Sequence, residues 1–522
     1  MSQPPVHLPP PAGTPGQVAD LRADLGAAGY TVDGVAELLG PVAGAALHRE
    51  QRLPALLAAR RAGTPAATLL RAFGLGDEVT VAELDAALPA TRAAGAAALG
   101  LVALAGAGPS DAVRAAVDLR PYAAQDAAGP AHWWLASDLG ESVTGRPLTP
   151  DHVLGVGGAS LTLAQATVRD PRRATLDLGT GCGVQALHAA RHSARVVATD
   201  VSARALAFAA LNAGLAGVAV DLRAGSLLDP VAGETFDLVV SNPPFVITPA
   251  AAYAAGLPRM SYRDGGRAGD DLVRDLVTGL GPHLAPGGVA QLLGNWEHHA
   301  GEGWAERVQG WLADAGLDGW VVQREVQDPA EYAELWLSDG GLRPERDRAG
   351  YEAAYAAWLA DFTARGVTGI GFGHVLLRRP VAGGTSPWRR VEELTGPVRQ
   401  PLGGHVASVL AAHDWLAARD DAALAGARLV VAADVTEERY LVPGAADPQV
   451  LQLRQGGGYG RVVRPGSLVA GAVGACDGEL TLAQIVAALA QVLDLPAPDV
   501  AAEVLPAARG LVLDGFLHPV ES

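Results

Sequence analysis

Apolar residues recur at helical spacing from Gln17 to Ala62 and from Thr64 to Ala98, with breaks at Gly40 and Pro41 and around Gly74 to Gly76. That period predicts a series of short amphipathic helices. Two apolar runs follow, Leu101 to Ala105 and Ala112 to Leu119, and the turn Gly108, Pro109, Ser110, Asp111 between them makes a hairpin. From Thr175 onward the pattern changes, and apolar runs of strand length alternate with periodic segments of helix length. Strands are predicted at Thr175 to Leu178, Val196 to Asp200, Ala219 to Leu222, Phe236 to Ser241 and Val289 to Leu293. Such alternation is the signature of a mainly parallel sheet covered by helices. Gly319 to Arg324 and Thr368 to Arg378 are predicted to close the sheet as a hairpin whose connection holds a helix near Ala349 to Thr363.

Beyond Pro380 the pattern gives a loop at Val381 to Pro387, a helix around His405 to Ala418 and short strands ending at Val463. Ser467 to Leu517 then holds an apolar helix, a turn at Asp477 and Gly478, a helix start at Thr481 and two more helical stretches. The expected organisation is a loose tail over 1–17, a helical domain over 18–142, an α/β catalytic domain over 143–380 and a small α+β domain over 381–522. The N-terminal helices followed by a hairpin resemble a winged helix. The set Cys476, Asp477, Gly478, Thr481, Leu482, Ile485, Gly515, Phe516, Leu517 weakly resembles small winged-helix modules that hold peptides.

Composition narrows the function classes. A chain of 522 residues, 49% apolar and 18% charged, has material for two to four globular domains and does not read as disordered. A net charge of -17 opposes sequence-independent nucleic-acid binding, which needs a basic surface to displace counterions. Cys182 and Cys476 fall in different candidate domains and imply neither a disulfide framework nor a zinc cluster, so a reducing, cytoplasmic setting is expected. Met1 to Gln17 is rich in proline and lacks the pattern of a secretion signal. Ala93 to Ser110 is uncharged, but it is mostly alanine and is broken by Gly95, Gly100 and Gly106, so a helix and a short strand fit it better than a membrane span. His298 and His299 are adjacent and have no suitably spaced partner, so no metal is expected. Trp133 and Trp134, which precede Ala136, Ser137 and Asp138, are read as packing between domains in preference to the edge of a substrate entrance.

The candidate chemistry lies where strands end. Asp177, Leu178, Gly179, Thr180, Gly181, Cys182, Gly183 stands between a predicted strand and a predicted helix. Glycines there allow a tight turn and close approach of a ligand, and the helix N-terminus offers free N–H groups to an anion. The spacing Gly179, Gly181, Gly183 departs from the dinucleotide fingerprint, which weakens a nicotinamide reading. Asp200 ends the next strand, where an acid can accept both ribose hydroxyls. Ser241, Asn242, Pro243, Pro244, Phe245 follows the fourth strand, at the sheet edge where open α/β folds bind ligands.

These motifs resemble class I methyltransferases that act on planar nitrogens, over about Val153 to Pro380. The resemblance implies a Rossmann-like sheet and S-adenosylmethionine as cofactor. It assigns Asp177, Gly179, Thr180, Gly181, Gly183 and Asp200 to the cofactor, with Ser226 and Leu227 at the adenine and Asn242 shared with the substrate. Asn242, Pro243 and Phe245 become the catalytic motif. An amide or aryl-amine nitrogen is a poor nucleophile because its lone pair is delocalised, and in this motif the Asn242 side-chain oxygen and the Pro243 carbonyl accept its hydrogens while Phe245 offers a flat face. Leu154 to Ser160, with Gly155, Gly157 and Gly158, stands where related enzymes cover the cofactor. Ser226 stands where related enzymes often carry an acid. Tyr262 to Asp271, with Asp264, Gly265, Gly266 and Gly269, resembles the glycine-rich segment that follows the motif in glutamine methyltransferases, and Leu284 to Gly288 resembles the superfamily's turn before its fifth strand. The implied reaction is direct in-line attack on the sulfonium methyl, without a metal or covalent intermediate. The expected substrate is a protein glutamine of the release-factor type. The alternatives are an exocyclic amine of ribosomal or transfer RNA, held by Arg378, Arg379, Arg389 and Arg390, and an inactive cofactor-binding regulator.

Overall fold

The computed structural model describes residues 9–145, 148–254, 257, 259–260, 262–380 and 387–520. It divides into two compact units, one of Met1–Ala164, Pro171–Val381 and Pro387–Glu393, the other of Gln165–Asp170, Ala382–Ser386 and Leu394–Ser522. Residues on both sides of position 142, taken above as a domain border, lie in the first unit. Residues 1–8 of the expected tail and 381–386 of the expected loop lie outside the described residues. The rest of the tail is structured: α1 (Pro15–Ala27) starts on a capping box between Thr14 and Gln17, and Pro11 is buried.

The first unit is built on an eight-stranded sheet. Its strands are preceded in the chain by a long hairpin, β1 (Asp118–Asp126) and β2 (Gly129–Ser137). The sheet comprises β3 (Arg172–Leu178), β4 (Ser193–Asp200), β5 (Asp221–Ala224), β6 (Phe236–Ser241), β7 (Leu284–His299), β8 (Asp318–Gln327), β9 (Val367–Arg378) and β10 (Arg389–Glu393). The order is β10-β8-β9-β7-β6-β3-β4-β5. From β5 to β7 every pair is parallel, and β9 inserts antiparallel between β7 and β8. The strand order switches sides at β3, with β4 next to it on one side and β6 on the other, which leaves a crevice at the carboxyl edge, where ligands bind in such sheets.

The central strands are apolar because both faces are covered: Thr175 to Leu178 of β3 and Leu238 to Ser241 of β6 are buried throughout. Three expected strands are longer than their apolar runs, since Arg172, Arg173, Ser193, Ala194 and Arg195 extend β3 and β4 beyond the core and β7 runs on to His299. β5 lies two residues beyond its expected place, because this edge strand is only half-buried and carries little apolar signal.

After β3 come α2 (Val184–Ala189) and, after β4, α3 (Ala203–Ala216). The hydroxyl of Ser202 caps α3 by accepting the Ala205 N–H, and Gly217 ends it in the left-handed region. Leu187, Phe208 and Leu211 of these helices share one buried cluster with Leu21, Leu25 and Tyr30 of the N-terminal helices. Ala93 to Ser110 folds as the helix Arg92–Ala98 and the strand Val102–Leu104, and among the described residues no helix is long and apolar enough to cross a membrane.

The hairpin β1–β2 was not expected. The run Ala112 to Leu119 had been read as one strand, but it breaks after Ala115, and Asp118 begins β1. Asn212 fastens the hairpin to α3 and to the loop after β3. Its buried carboxamide accepts the Ala136 N–H at 2.7 Å and donates to the carbonyls of Ala136 at 2.9 Å and Cys182 at 2.8 Å. Trp133 stacks on Tyr122 across the hairpin, and Trp134 donates to the Tyr30 carbonyl.

In the second unit, the helix Gly403–Ala417 precedes a three-stranded antiparallel sheet of Val435–Tyr440, Val450–Gln455 and Val462–Val463. The strand Arg428–Val431 pairs with Asp477–Thr481 and Leu517–Pro519. The helix Leu482–Leu493 starts on a capping box between Thr481 and Gln484, and Ile485, Val504, Leu511 and Phe516 lie in one core.

Asn212→Ala is expected to destabilise the first unit by about 2–4 kcal/mol, because it strips partners from three buried backbone groups at once. Urea unfolding of the variant checks this; a loss below about 0.5 kcal/mol means that the hairpin is held by other contacts.

Candidate active site

A cavity of about 930 Å³ opens where β3, β4, β5 and β6 end. Its wall comes from the turns that follow these strands, including Gly179 to Cys182, Asp200 to Ser202, Gly225 to Leu227 and Asn242 to Pro244. Leu154 to Leu161 covers it from another side, held to α2 by Gln185, which donates to the Ser160 carbonyl at 2.7 Å. The structure therefore gathers the three expected motifs and the expected covering segment around one space.

The loop after β3 is fixed by its own backbone. The N–H groups of Gly179 and Thr180 both donate to the Thr199 carbonyl at 2.9 Å. Gly181, with φ 55°, donates its N–H to Asp200 Oδ2 at 2.9 Å, while Ser202 N–H reaches Oδ1 at 2.8 Å. Both oxygens of Asp200 thus stay anchored and keep further lone pairs toward the cavity. Burial pushes the Asp200 carboxyl above its usual range, against the backbone N–H groups that favour its charge.

Two expected cofactor residues sit elsewhere than on the wall. Asp177 is fully buried beneath the loop, where Oδ2 accepts the Thr180 hydroxyl at 2.6 Å and the Ala186 N–H at 2.9 Å. Its carboxylate ties loop to helix and does not line the cavity. Gly183, with φ 88°, faces α3, and a Cβ there would stand 3.1 Å from Ala209. This glycine permits helix packing rather than ligand approach.

Ser226 and Leu227 line the cavity, with Leu227 in the left-handed region at φ 46°. Asn242 is half-buried on the wall, and among the described residues no hydrogen bond engages its side chain. Pro243 also lines the cavity, and its carbonyl accepts the Phe245 N–H at 2.8 Å, which leaves one lone pair. Phe245 turns away: its ring packs edge-on to Phe372 at 6.4 Å, outside the cavity wall. The motif is clamped by the glycine-rich segment, through Val246 N–H to the Arg263 carbonyl at 2.7 Å and Gly265 N–H to the Pro244 carbonyl at 3.0 Å. That segment brings Tyr262, Asp264 and Gly265 to the wall.

The sequence reading missed the contribution of β1, β2 and the segment behind them. Asp118, Arg120, Tyr122, Ser137, Asp138 and His152 all line the cavity. Their spacing follows no motif, and of the six only Ser137 and Asp138, behind the paired tryptophans, stood near a feature the sequence singles out. Asp138 is chelated by Arg204 and accepts the Val153 N–H, and buried His152 stands 4.0 Å from it. Burial chiefly lowers the affinity of His152 for a proton. Elsewhere, His298 stacks on Trp304 and shares a hydrogen bond with Gln323, while His299 faces the Arg365 carbonyl and Glu297.

Residues 155–257 match the family model described as "Methyltransferase small domain". That stretch of the chain is similar to methyltransferase domains. Residues 27–116 and 407–519 match two models described as domains of unknown function, DUF7059 and DUF7782. The release factor glutamine methyltransferase of Xylella fastidiosa is 41% identical over 161 residues, 30% of this chain and 56% of that one. The enzyme of the same description from Deinococcus radiodurans is 40% identical over 159 residues, 29% of this chain and 55% of its own length. The ribosomal protein uL3 glutamine methyltransferase of Bradyrhizobium diazoefficiens is 33% identical over 163 residues, 29% of this chain and 51% of the relative. The chain thus spans about half the length of the curated relatives it matches.

The turn after β3 rests on an acid that resists ionisation, and this sets a pH dependence. Burial pushes the Asp177 carboxyl up to about 7, so the folded chain holds its proton in a pH range where the unfolded chain has released it. Stability contributed by this group therefore falls as pH rises from about 4 to about 7, by at most about 1.4 kcal/mol per pH unit. Asp177→Asn should flatten that slope relative to the parent chain in denaturation series across this window. An unchanged slope would show that the carboxyl ionises freely in the fold.

Proposed function

We propose that this protein is an S-adenosylmethionine-dependent methyltransferase that modifies a planar nitrogen, with a protein glutamine amide as its substrate. The observation that carries the reading is Asn242: an unengaged carboxamide on the cavity wall, at the end of β6, beside the glycine turn and Asp200. The residues present fit the cofactor. A Cβ built at Gly179 or Gly181 meets nothing within 4 Å, so the turn leaves open space at its surface, and Asp200 presents two anchored carboxylate oxygens suited to a ribose. When bound, S-adenosylmethionine supplies an electrophilic methyl group on a sulfonium.

The chain's own part is positioning. Asn242 Oδ1 and the remaining lone pair of the Pro243 carbonyl accept the two hydrogens of the amide, which aims the nitrogen lone pair and stabilises the charge that develops on it. Neither group titrates. Phe245 acts from behind, by packing on Phe372 and holding the motif in register with the glycine-rich segment. The printed descriptions of the relatives, glutamine methyltransferases of a release factor and of a ribosomal protein, support the substrate class, and a translation protein is the partner we infer. A cytoplasmic location belongs to the same proposal.

The RNA reading loses its basic patch. Arg378 is buried against Asp318, Arg379 donates to the Leu284 carbonyl and Arg390 holds Glu392; of the four arginines only Arg389 is exposed. Methyl transfer to the substrate fraction of a lysate from a strain lacking the gene should fall little between low and physiological salt. A steep linear decline on logarithmic axes, abolished by RNase, would assign the substrate to RNA.

Asn242→Ala should keep most of its affinity for S-adenosylhomocysteine and lose about two to three orders of magnitude in single-turnover methyl transfer. Calorimetry and rapid quench on the same preparation separate the two effects. Near-normal transfer by the folded variant would reduce the motif to a structural turn.

A further inference from the structure

Two acids of the cavity wall have an arginine of the wall close by in sequence. Asp264, in the segment clamped on the Asn242 motif, accepts the Gly266 N–H, and Arg267 pairs with Asp275 instead. Asp118 and Arg120 do form an ion pair, on β1, an element that lies outside residues 155–257. Arg120 grips Asp118 through two nitrogens, Nε to Oδ1 at 2.8 Å and Nη2 to Oδ2 at 2.7 Å. Nη2 also reaches the Gly74 carbonyl at 3.3 Å, and Nη1 has no hydrogen-bond partner among the described residues. Asp118 is 12% exposed at its side chain while Arg120 is 54% exposed, so the acid forms the floor of the pair and the guanidinium its open face.

The place of the pair decides its ligand. Asp200 lies at the end of β4, and Asn242 at the end of β6. β3 and its glycine turn lie between them in the sheet. A nucleoside held at Asp200 with its sulfonium turned toward Asn242 must project its third substituent, the amino-acid chain, over the β3 turn. The base of the hairpin is fastened there, because Asn212 joins Ala136 to the Cys182 carbonyl and Ala136 pairs with Leu119, between Asp118 and Arg120. An α-amino acid carries a carboxylate beside an ammonium, the mirror of this pair in charge.

We propose that Asp118 and Arg120 clamp the amino-acid end of S-adenosylmethionine, Arg120 Nη1 binding its carboxylate and Asp118 its ammonium. The proposal rests on the methyltransferase reading above. Burial holds the free Asp118 carboxyl up at about 6, and an arriving ammonium restores its charge. The N-terminal module is then part of the cofactor site.

The test uses the full chain and calorimetry with two nucleosides. S-adenosylhomocysteine carries the amino-acid end, and 5′-methylthioadenosine lacks it. Arg120→Gln should weaken the first about ten- to hundredfold and leave the second within about twofold, as expected for a lost charged hydrogen bond. Decarboxylated S-adenosylmethionine should be insensitive to Arg120→Gln and weakened by Asp118→Asn. Equal losses for both nucleosides overturn the clamp and make the pair a fold element; no loss for either overturns it as well. A parent chain that binds neither nucleoside removes the methyltransferase reading and the clamp with it, which distinguishes the two failures.

Discussion

A single buried carboxamide connects the parts of this protein that matter for chemistry. Asn212 spends both ends of its amide on backbone groups from two places, the hairpin base at Ala136 and the turn after β3 at Cys182. A buried polar group without partners is costly, so the three bonds fix the distance between hairpin and turn within narrow limits. Hairpin and turn both line the cavity, so these bonds hold two of its walls against each other. Apolar packing of Phe208 and Leu211 holds α3 in place but specifies no register, and the amide adds the register.

The acids around the cavity divide the work by depth. Asp177 lies beneath the turn and shapes it through Thr180 and Ala186, without access to the cavity. Asp200 is one layer higher, anchored by backbone N–H groups and open to a ligand. Asp138 is neutralised by Arg204 and serves the wall. Sequence position alone does not separate these roles, since each acid follows or ends an apolar run. Their hydrogen-bond partners do.

Much of the central sheet was legible because strands covered on both faces must be apolar, and Phe236 to Ser241 and the closing hairpin appear where their runs predict. β5 shifted because an edge strand needs only a half-buried face. The glycine turn, Asp200 and Asn242 were legible as neighbours because backbone turns and strand ends restrict which residues fit, and all three line one cavity. Gly183 and Asp177 share the same motif, yet they serve packing and loop support, a distinction that requires the position of Ala209 and the depth of the carboxylate. Phe245 is the aromatic position of the resembled motif, where a face toward the substrate is expected; its N–H instead bonds back to the Pro243 carbonyl and its ring packs on Phe372. β1 and β2 stayed hidden because Pro121, Gln125 and His132 blur any alternation along the hairpin.

The border recognised by sequence families and the border set by burial differ in this chain. The match to the methyltransferase domain begins at 155, but the faces of Leu187, Phe208 and Leu211 are covered by helices that precede it by more than a hundred residues. A chain recombined at that border would present these side chains to water and to every other unfolded chain nearby. The N-terminal helices and the α/β part thus share one core, and a substitution at Leu21 or Leu25 is felt on the same cluster as one at Phe208.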